Sequence, residues 1–166
     1  MIGYVSQNEF IFNDTIANNI SFWENDWKED NNLQDRIILS LKKADLYDAV
    51  KIMPHGLDTI IGDRGAFLSG GQKQRLFIAR EIFKLPELLI FDEATSALDH
   101  NSESIISETI QNMRGSLTIL IIAHNLNIIK NADLVYVLKD GKIVEKGSYK
   151  DLIKKDKSYI SKMGID

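Results

Sequence analysis

The 166-residue chain contains no cysteine, so neither a disulfide nor a thiolate metal centre is open to it. That absence fits a reducing compartment. It has only two prolines, Pro54 and Pro86, and each reads as a helix stop. No apolar run approaches the roughly 20 residues that a membrane span requires; LTILIIA at 117–123 is among the longest. A membrane role would therefore come through a partner or through segments outside these residues. Positive charge is not in excess, since 20 Lys and Arg face 24 Asp and Glu for a net charge of −4. That balance argues against a broad electrostatic pull toward nucleic acid or an anionic membrane surface. The opening residues MIGYVSQNEF carry neither the basic nor the apolar stretch of a secretory leader. What is present suffices for a globular core: 44% of residues are hydrophobic and 27% charged. The length suits one domain, or one domain and a piece.

Ile2–Ser6 is an apolar and aromatic run that reads as a strand. ENDWKEDNN at 24–32 is a polar surface loop. Leu33, Ile37, Ile38, Leu41 and Ala44 follow helical spacing, and a short helix over about 46–53 stops before Pro54. PHGLDTIIGDRGAF is a glycine-bearing loop, and a helix is expected from about Gln72 to Lys84. Beyond Pro86 the pattern changes. ELLIFDEA (87–94) and SLTILIIAH (116–124) read as buried strands, with a helix over 101–114 between them. A short helix over 126–131, a hairpin turning at Asp140-Gly141, and an amphipathic helix over 148–162 complete the chain. Strands alternating with helices imply a parallel sheet with helices around it. The segment 13–84 reads as mainly helical and separate.

The stretch LSGGQKQRLFIAR (68–80) sets two adjacent glycines before a long helix. Two readings stand. Ser69 caps the helix and the glycines turn into it. Alternatively, bare glycine N–H groups and the helix N-terminus are aimed at a phosphate. Further along, LLIFDE places Asp92 and Glu93 at the carboxyl end of one strand, and ILIIAH places His124 at the end of another. Ligands of open α/β sheets bind at those ends. Asp92 suits a magnesium ion, and Glu93 suits polarising a water for attack on a phosphoryl group. The structural alternatives are a turn and helix cap for the two carboxylates and a satisfied histidine for His124.

Taken in order, these pieces resemble the ATP-binding-cassette family. Gln7 in YVSQ is similar to the Q-loop, and LSGGQ (68–72) is the family signature in full. LLIFDE (88–93) resembles Walker B with its following glutamate, SALD (96–99) the D-loop, and His124 the switch histidine. LKDGKIVEKGSYKDLI resembles the usual family ending. YVSQNEFIFNDTIANNISF and GLDTIIGDRGAFLSGGQKQR resemble the exporter branch. In that branch GDRG (62–65) corresponds to a loop that senses the transmembrane domains. Phe10, Phe12 and Phe22 fall where the domain meets the coupling helices, with core packing as the alternative for each. Trp23 and Trp27 read as surface-helix anchors without an assigned role. AHNLN, with Asn125 after the histidine, departs from the arginine that exporters often carry there.

The resemblance implies an α/β fold: an incomplete P-loop NTPase (RecA-like) parallel sheet, a mostly helical signature subdomain, and a C-terminal hairpin plus helix. Residues 1–12 and 86–166 would belong to the ATPase core and 13–85 to the signature subdomain. It implies two such domains closing head to tail over two ATP molecules. Ser69, Gly70, Gly71 and Gln72 of one would contact the γ-phosphate held by the other. Glu93 would be the general base, His124 the organiser of γ-phosphate and water, Asp92 and Gln7 the Mg2+ contacts, and Asp99 a link across the dimer. The partners would be the transmembrane domains of an exporter, at the cytoplasmic face of the inner or plasma membrane, and not nucleic acid. GxxxxGK[ST] occurs nowhere in the 166 residues, and in the family it precedes the Q-loop. The aromatic residue that stacks on adenine also lies upstream in the family. The chain is therefore expected to match the C-terminal two-thirds of a nucleotide-binding domain. A strand, phosphate loop and helix of roughly 30 residues would be missing and a sheet edge exposed. The isolated chain is then expected not to hydrolyse ATP at a useful rate. The alternatives are a truncated or degenerate fragment without activity of its own, and a soluble family member without transport function. Lipid, glycan-lipid, peptide and drug export all stay open.

Overall fold

Three short apolar runs pair as a parallel sheet in a computed structural model that describes residues 1–7, 9–24, 26–62, 65–155 and 158–163. Asp63 and Arg64 of the GDRG stretch thus lie outside the described residues. The strands β1 (Ile2–Ser6), β2 (Leu88–Asp92) and β3 (Thr118–Ile122) stand in that order, with Ser6 opposite Asp92 and Asp92 opposite Ile122. They belong to a first unit, Met1–Ile122. Side chains alternate across a strand, so Val5, Leu89 and Phe91 fall on one face and are buried. Tyr4, Leu120 and Ile122 fall on the other and are 48%, 48% and 47% exposed. This corrects the expectation of a buried 116–124 strand. Among the described residues β3 pairs only with β2, which makes it an edge strand with one open face.

Among the described residues, five helices complete this unit: α1 (Ile16–Ser21), α2 (Asn31–Lys43), α3 (Tyr47–Lys51), α4 (Gly70–Phe83) and α5 (His100–Asn112). A 3₁₀ turn spans Gly56–Asp58. Leu33, Ile37 and Leu41 recur at helical spacing on α2 and are buried. The Asp30 carboxylate accepts the Asn32 and Leu33 N–H groups at 2.9 and 3.1 Å, and Lys42 and Lys43 occupy the last turn. α2 packs on α4, whose Leu76, Ile78 and Ala79 are fully buried, and α1 adds Ile16, Ala17 and Ile20. The helix α4 also lies against β1. There the Glu81 carboxylate accepts the Tyr4 N–H at 3.2 Å, which covers a backbone donor on the sheet edge.

The start of α4 differs from expectation. The helix begins at Gly70, because Ser69 closes a capping box over the glycines. The Gln72 N–H donates to Ser69 Oγ at 3.2 Å, and the Ser69 N–H donates to Gln72 Oε1 at 2.9 Å. Gly71 faces α5. A Cβ built there would stand 2.5 Å from Ser102 Oγ and 2.8 Å from Ser102 Cβ. A Cβ on Gly70 would meet only Leu98 Cδ2, at 3.6 Å.

The second unit, Ala123–Asp166, holds α6 (Leu126–Ile129), β4 (Val135–Lys139), β5 (Lys142–Gly147), α7 (Tyr149–Ile153) and α8 (Tyr159–Met163). The hairpin turns at Asp140 and Gly141, both with positive φ (50° and 73°), as a type I′ turn requires. The single helix expected over 148–162 is two. Ser158 breaks it: its Oγ donates to Glu145 at 2.7 Å, and the same carboxylate accepts the Tyr159 N–H at 3.0 Å. Those bonds hold the Glu145 carboxyl below its usual range, the Ser158 hydroxyl contributing most. Val135, Leu152 and Ile160 form the core of this unit.

Two outcomes follow for stability, each read by urea denaturation. Phe91→Ala empties a site at the centre of the sheet and should cost about 3–5 kcal/mol. Gly71→Ala should cost about 1–3 kcal/mol through overpacking on Ser102, while Gly70→Ala should change stability by no more than about 0.5 kcal/mol.

Candidate functional site

The parallel register sets Gln7, the residue after β1, beside the Asp92 end of β2. Gln7 is exposed, and Asp92 and Glu93 are half-buried. Asp92 Oδ2 accepts the Tyr4 hydroxyl at 2.5 Å, and that bond is the main cause pushing the Tyr4 phenol above its usual pKa. Glu93 has φ of 50°, left-handed backbone at a residue with a Cβ. Such backbone costs of order 1–2 kcal/mol at an ordinary residue and persists only where its surroundings enforce it. The enforcement is visible here. The Glu93 N–H donates to the Ile122 carbonyl at 2.9 Å, while the Glu93 carbonyl accepts the Ser96 N–H at 3.1 Å and the Ser96 hydroxyl at 2.9 Å.

A turn then leads from Glu93 to Asp99, the N-cap of α5. Asp99 accepts the Ser102 N–H at 3.0 Å and the Ser102 hydroxyl at 2.7 Å. Those bonds, the hydroxyl foremost, hold its carboxyl below the usual range. Asp99 therefore caps α5. Ser69 and Gln72 likewise spend their side chains on their own helix. Among the described residues, the Gly70 and Gly71 N–H groups find no protein acceptor.

The structure brings several of these segments to one cavity of about 610 Å³, lined by Gln7, Phe10, Gly70, Lys73, Ala97 and Leu98 among others. The post-β1 loop, the signature helix and the 94–98 turn thus share one space. His124 lies in the second unit and is exposed. Asn125 beside it caps α6 by accepting the Asn127 N–H at 2.9 Å.

Next to the cavity is an aromatic group. Phe12 meets Phe10 and Trp23 edge-on, each at 4.9 Å between centroids, and Phe22 at 6.2 Å. Phe10, Phe22 and Trp23 are 62%, 42% and 46% exposed, so core packing does not account for them; Trp27 by contrast is buried. The Trp23 indole N–H donates to Asp14 Oδ2 at 2.9 Å. Beneath the rings lies Arg80, a residue that sequence reasoning missed. Its Nε donates to the Asn19 carbonyl at 2.7 Å, Nη1 to the Phe10 carbonyl at 2.9 Å, and Nη2 to Asn19 Oδ1 at 3.2 Å. Glu9 stands 3.8 Å away. Burial lowers the Arg80 pKa against the opposing pull of Glu9 and Glu81, and burial likewise raises Glu9. Tyr4 and Arg80 share one trait: their chemistry is directed at a partner that only the fold supplies. A charged residue at a spacing that puts it on the apolar side of α4 was the one available signal for Arg80.

Comparison with known proteins agrees with this geometry. Residues 1–96 match the family described as ABC transporter. The chain is 44% identical over 158 residues to an ATP-dependent lipid A-core flippase of Burkholderia pseudomallei, covering 95% of this chain and 26% of the flippase. A flippase of the same description from Photobacterium profundum is 45% identical over the same shares of each chain. A solved structure of a bacterial Atm1-family ABC exporter with ATP bound superposes with a TM-score of 0.82 at 37% identity, covering 98% of this chain and 28% of that one. The chain thus spans about a quarter of the length of the relatives it matches. With its parallel sheet, its signature helix and its exporter likeness, the chain belongs to the ABC transporter family.

Proposed function

We propose that the chain is the C-terminal portion of an exporter's nucleotide-binding domain, with residues 13–85 as its helical signature subdomain, and that it takes part in the ATP hydrolysis that drives export. The observation that carries this reading is the convergence of Gln7, Gly70 and the 94–98 turn on one cavity, next to the strained Glu93. Gly70 supports it separately. A side chain there would fit within the chain, so the glycine answers to something that approaches from outside.

In this reading the Gly70 and Gly71 N–H groups bind the γ-phosphate of an ATP held mainly by a second domain, head to tail, and the positive end of α4 favours that anion. Ser69 and Gln72 hold the helix end in shape for the contact. Glu93 takes a proton from the attacking water, His124 orients water and γ-phosphate, and Asp99 links the two domains. Asp92 and Gln7 offer a carboxylate and an amide oxygen at adjacent strand ends. No group of three or more acidic or histidine side chains suited to a metal occurs among the described residues. Two hard oxygen donors fit Mg2+, which commonly takes one or two protein ligands and completes its shell with phosphates and water. The ion, when bound, would neutralise charge on the phosphates.

Phe10, Phe12 and Phe22 are proposed to contact coupling helices of the transmembrane domains, with the exposed Trp23 packed edge-on against Phe12. No helix among the described residues is long and apolar enough to cross a membrane. Those transmembrane domains would hold this portion at the cytoplasmic face of the inner or plasma membrane. The flippase relatives make a lipid the first substrate to assay. Without a GxxxxGK[ST] loop, the 166 residues alone should not hydrolyse ATP.

The test is made in the complete transporter. Glu93→Gln should cut hydrolysis by about 10²- to 10⁴-fold while ATP still closes the domain dimer, read by crosslinking. Gly70→Ala should abolish that ATP-dependent closure without loss of thermal stability. Undiminished hydrolysis in Glu93→Gln, or steady Mg2+-dependent turnover by the 166 residues alone, would overturn the reading.

A further inference from the structure

We propose that Tyr4 is a positioning residue for Asp92: its hydroxyl fixes one carboxylate oxygen so that the other is presented to the metal. The proposal rests on the reading of Asp92 as a Mg2+ contact. Tyr4 lies opposite Ile90, one pair of residues short of Asp92 on the same face of the sheet. The tyrosine side chain spans that diagonal, and its Oη donates to Asp92 Oδ2 at 2.5 Å. A contact that short is the geometry of a charge-assisted bond.

Burial does not force the contact. Tyr4 is 48% exposed, and water could serve its hydroxyl equally well. The bond is instead made from a fixed base. The Tyr4 N–H is held by Glu81 Oε2 at 3.2 Å, and the flanking Val5 is fully buried. An aspartate's terminal torsion is broad and soft, so a carboxylate at a strand end would otherwise rotate freely. With Oδ2 held by Tyr4, Asp92 keeps one orientation before any ligand arrives. Outer partners of this kind orient metal-binding carboxylates, and losing one commonly weakens metal affinity by about 10-fold or more.

The test uses the complete transporter with a non-hydrolysable ATP analogue, and Mn2+ as the probe, titrated by electron paramagnetic resonance. Tyr4→Phe retains the ring and removes only the hydroxyl. It should weaken Mn2+ binding about 10-fold and leave metal-free binding of the analogue unchanged. Asp92→Asn should weaken Mn2+ binding more, and Tyr4→Phe added to it should have no further effect. Wild-type Mn2+ affinity in Tyr4→Phe, beside a clear loss in Asp92→Asn, would overturn the role of Tyr4 alone. Additive losses in the double variant, or equal losses with and without metal, would do the same. Unchanged Mn2+ binding in Asp92→Asn would overturn the metal reading of Asp92 itself.

Discussion

The buried guanidinium of Arg80 is the interaction on which the rest of the first unit depends. It sits on the C-terminal half of α4 and reaches the backbone of Phe10 and Asn19, residues on the segment that follows β1. Desolvating a cation is costly unless its donors are satisfied. Here three nitrogens find acceptors, Glu9 stands nearby, and the rings of Phe22, Phe77 and Phe12 lie 4.9, 5.6 and 5.9 Å from the guanidinium carbon. The segment carrying Gln7 and the exposed aromatics is thus tied to the signature helix by directional bonds.

The next residue, Glu81, ties α4 to β1 through the Tyr4 N–H, and Tyr4 in turn reaches Asp92. At the opposite end, Gly71 rests on Ser102, which holds Asp99. The helix therefore fixes three things at once: the post-β1 loop, the Asp92 carboxylate and the N-cap of α5. A protein interior transmits displacement because it is close-packed. A contact made at Gly70 consequently has a physical route to Gln7, Asp92 and Asp99.

Much of this was legible in the sequence. The strands over 2–6 and 88–92 stood out as apolar runs with abrupt polar ends, and the Asp-Gly turn as local chemistry. The strand over 118–122 is where the sequence places it, but its open face is not legible there, because an apolar run says nothing about how many of its faces are covered. The start of α4 lies earlier than the weak helix propensity of glycine suggests, because the capping box outweighs that weakness locally. The split of the last helix was illegible, since it depends on Glu145, 13 residues before Ser158. Tyr4 and Arg80 were illegible for the same reason at greater range: the bonds that define them span 88 and 61 residues.

The two readings of SGGQ turn out not to compete. A capping box and an anion site draw on different groups of the same helix end. Ser69 and Gln72 use their side chains reciprocally, and the Gly70 and Gly71 N–H groups are left without a protein acceptor among the described residues. The glycines also differ from each other. Gly71 is demanded by the fold, because Ser102 leaves no room for a Cβ. Gly70 is not, and alanine would be the better helix former there. A position where the fold would gain from a side chain yet has none is best explained by a backbone that must be approached closely. In this chain that position borders the same cavity as Gln7, and the nearby Glu93 is held in strained backbone. The hydrogen bonds to Ile122 and Ser96 hold Glu93 in that backbone, whereas no contact within the chain asks for a bare Gly70, and in the proposed function a phosphate approaching that backbone is what asks for it.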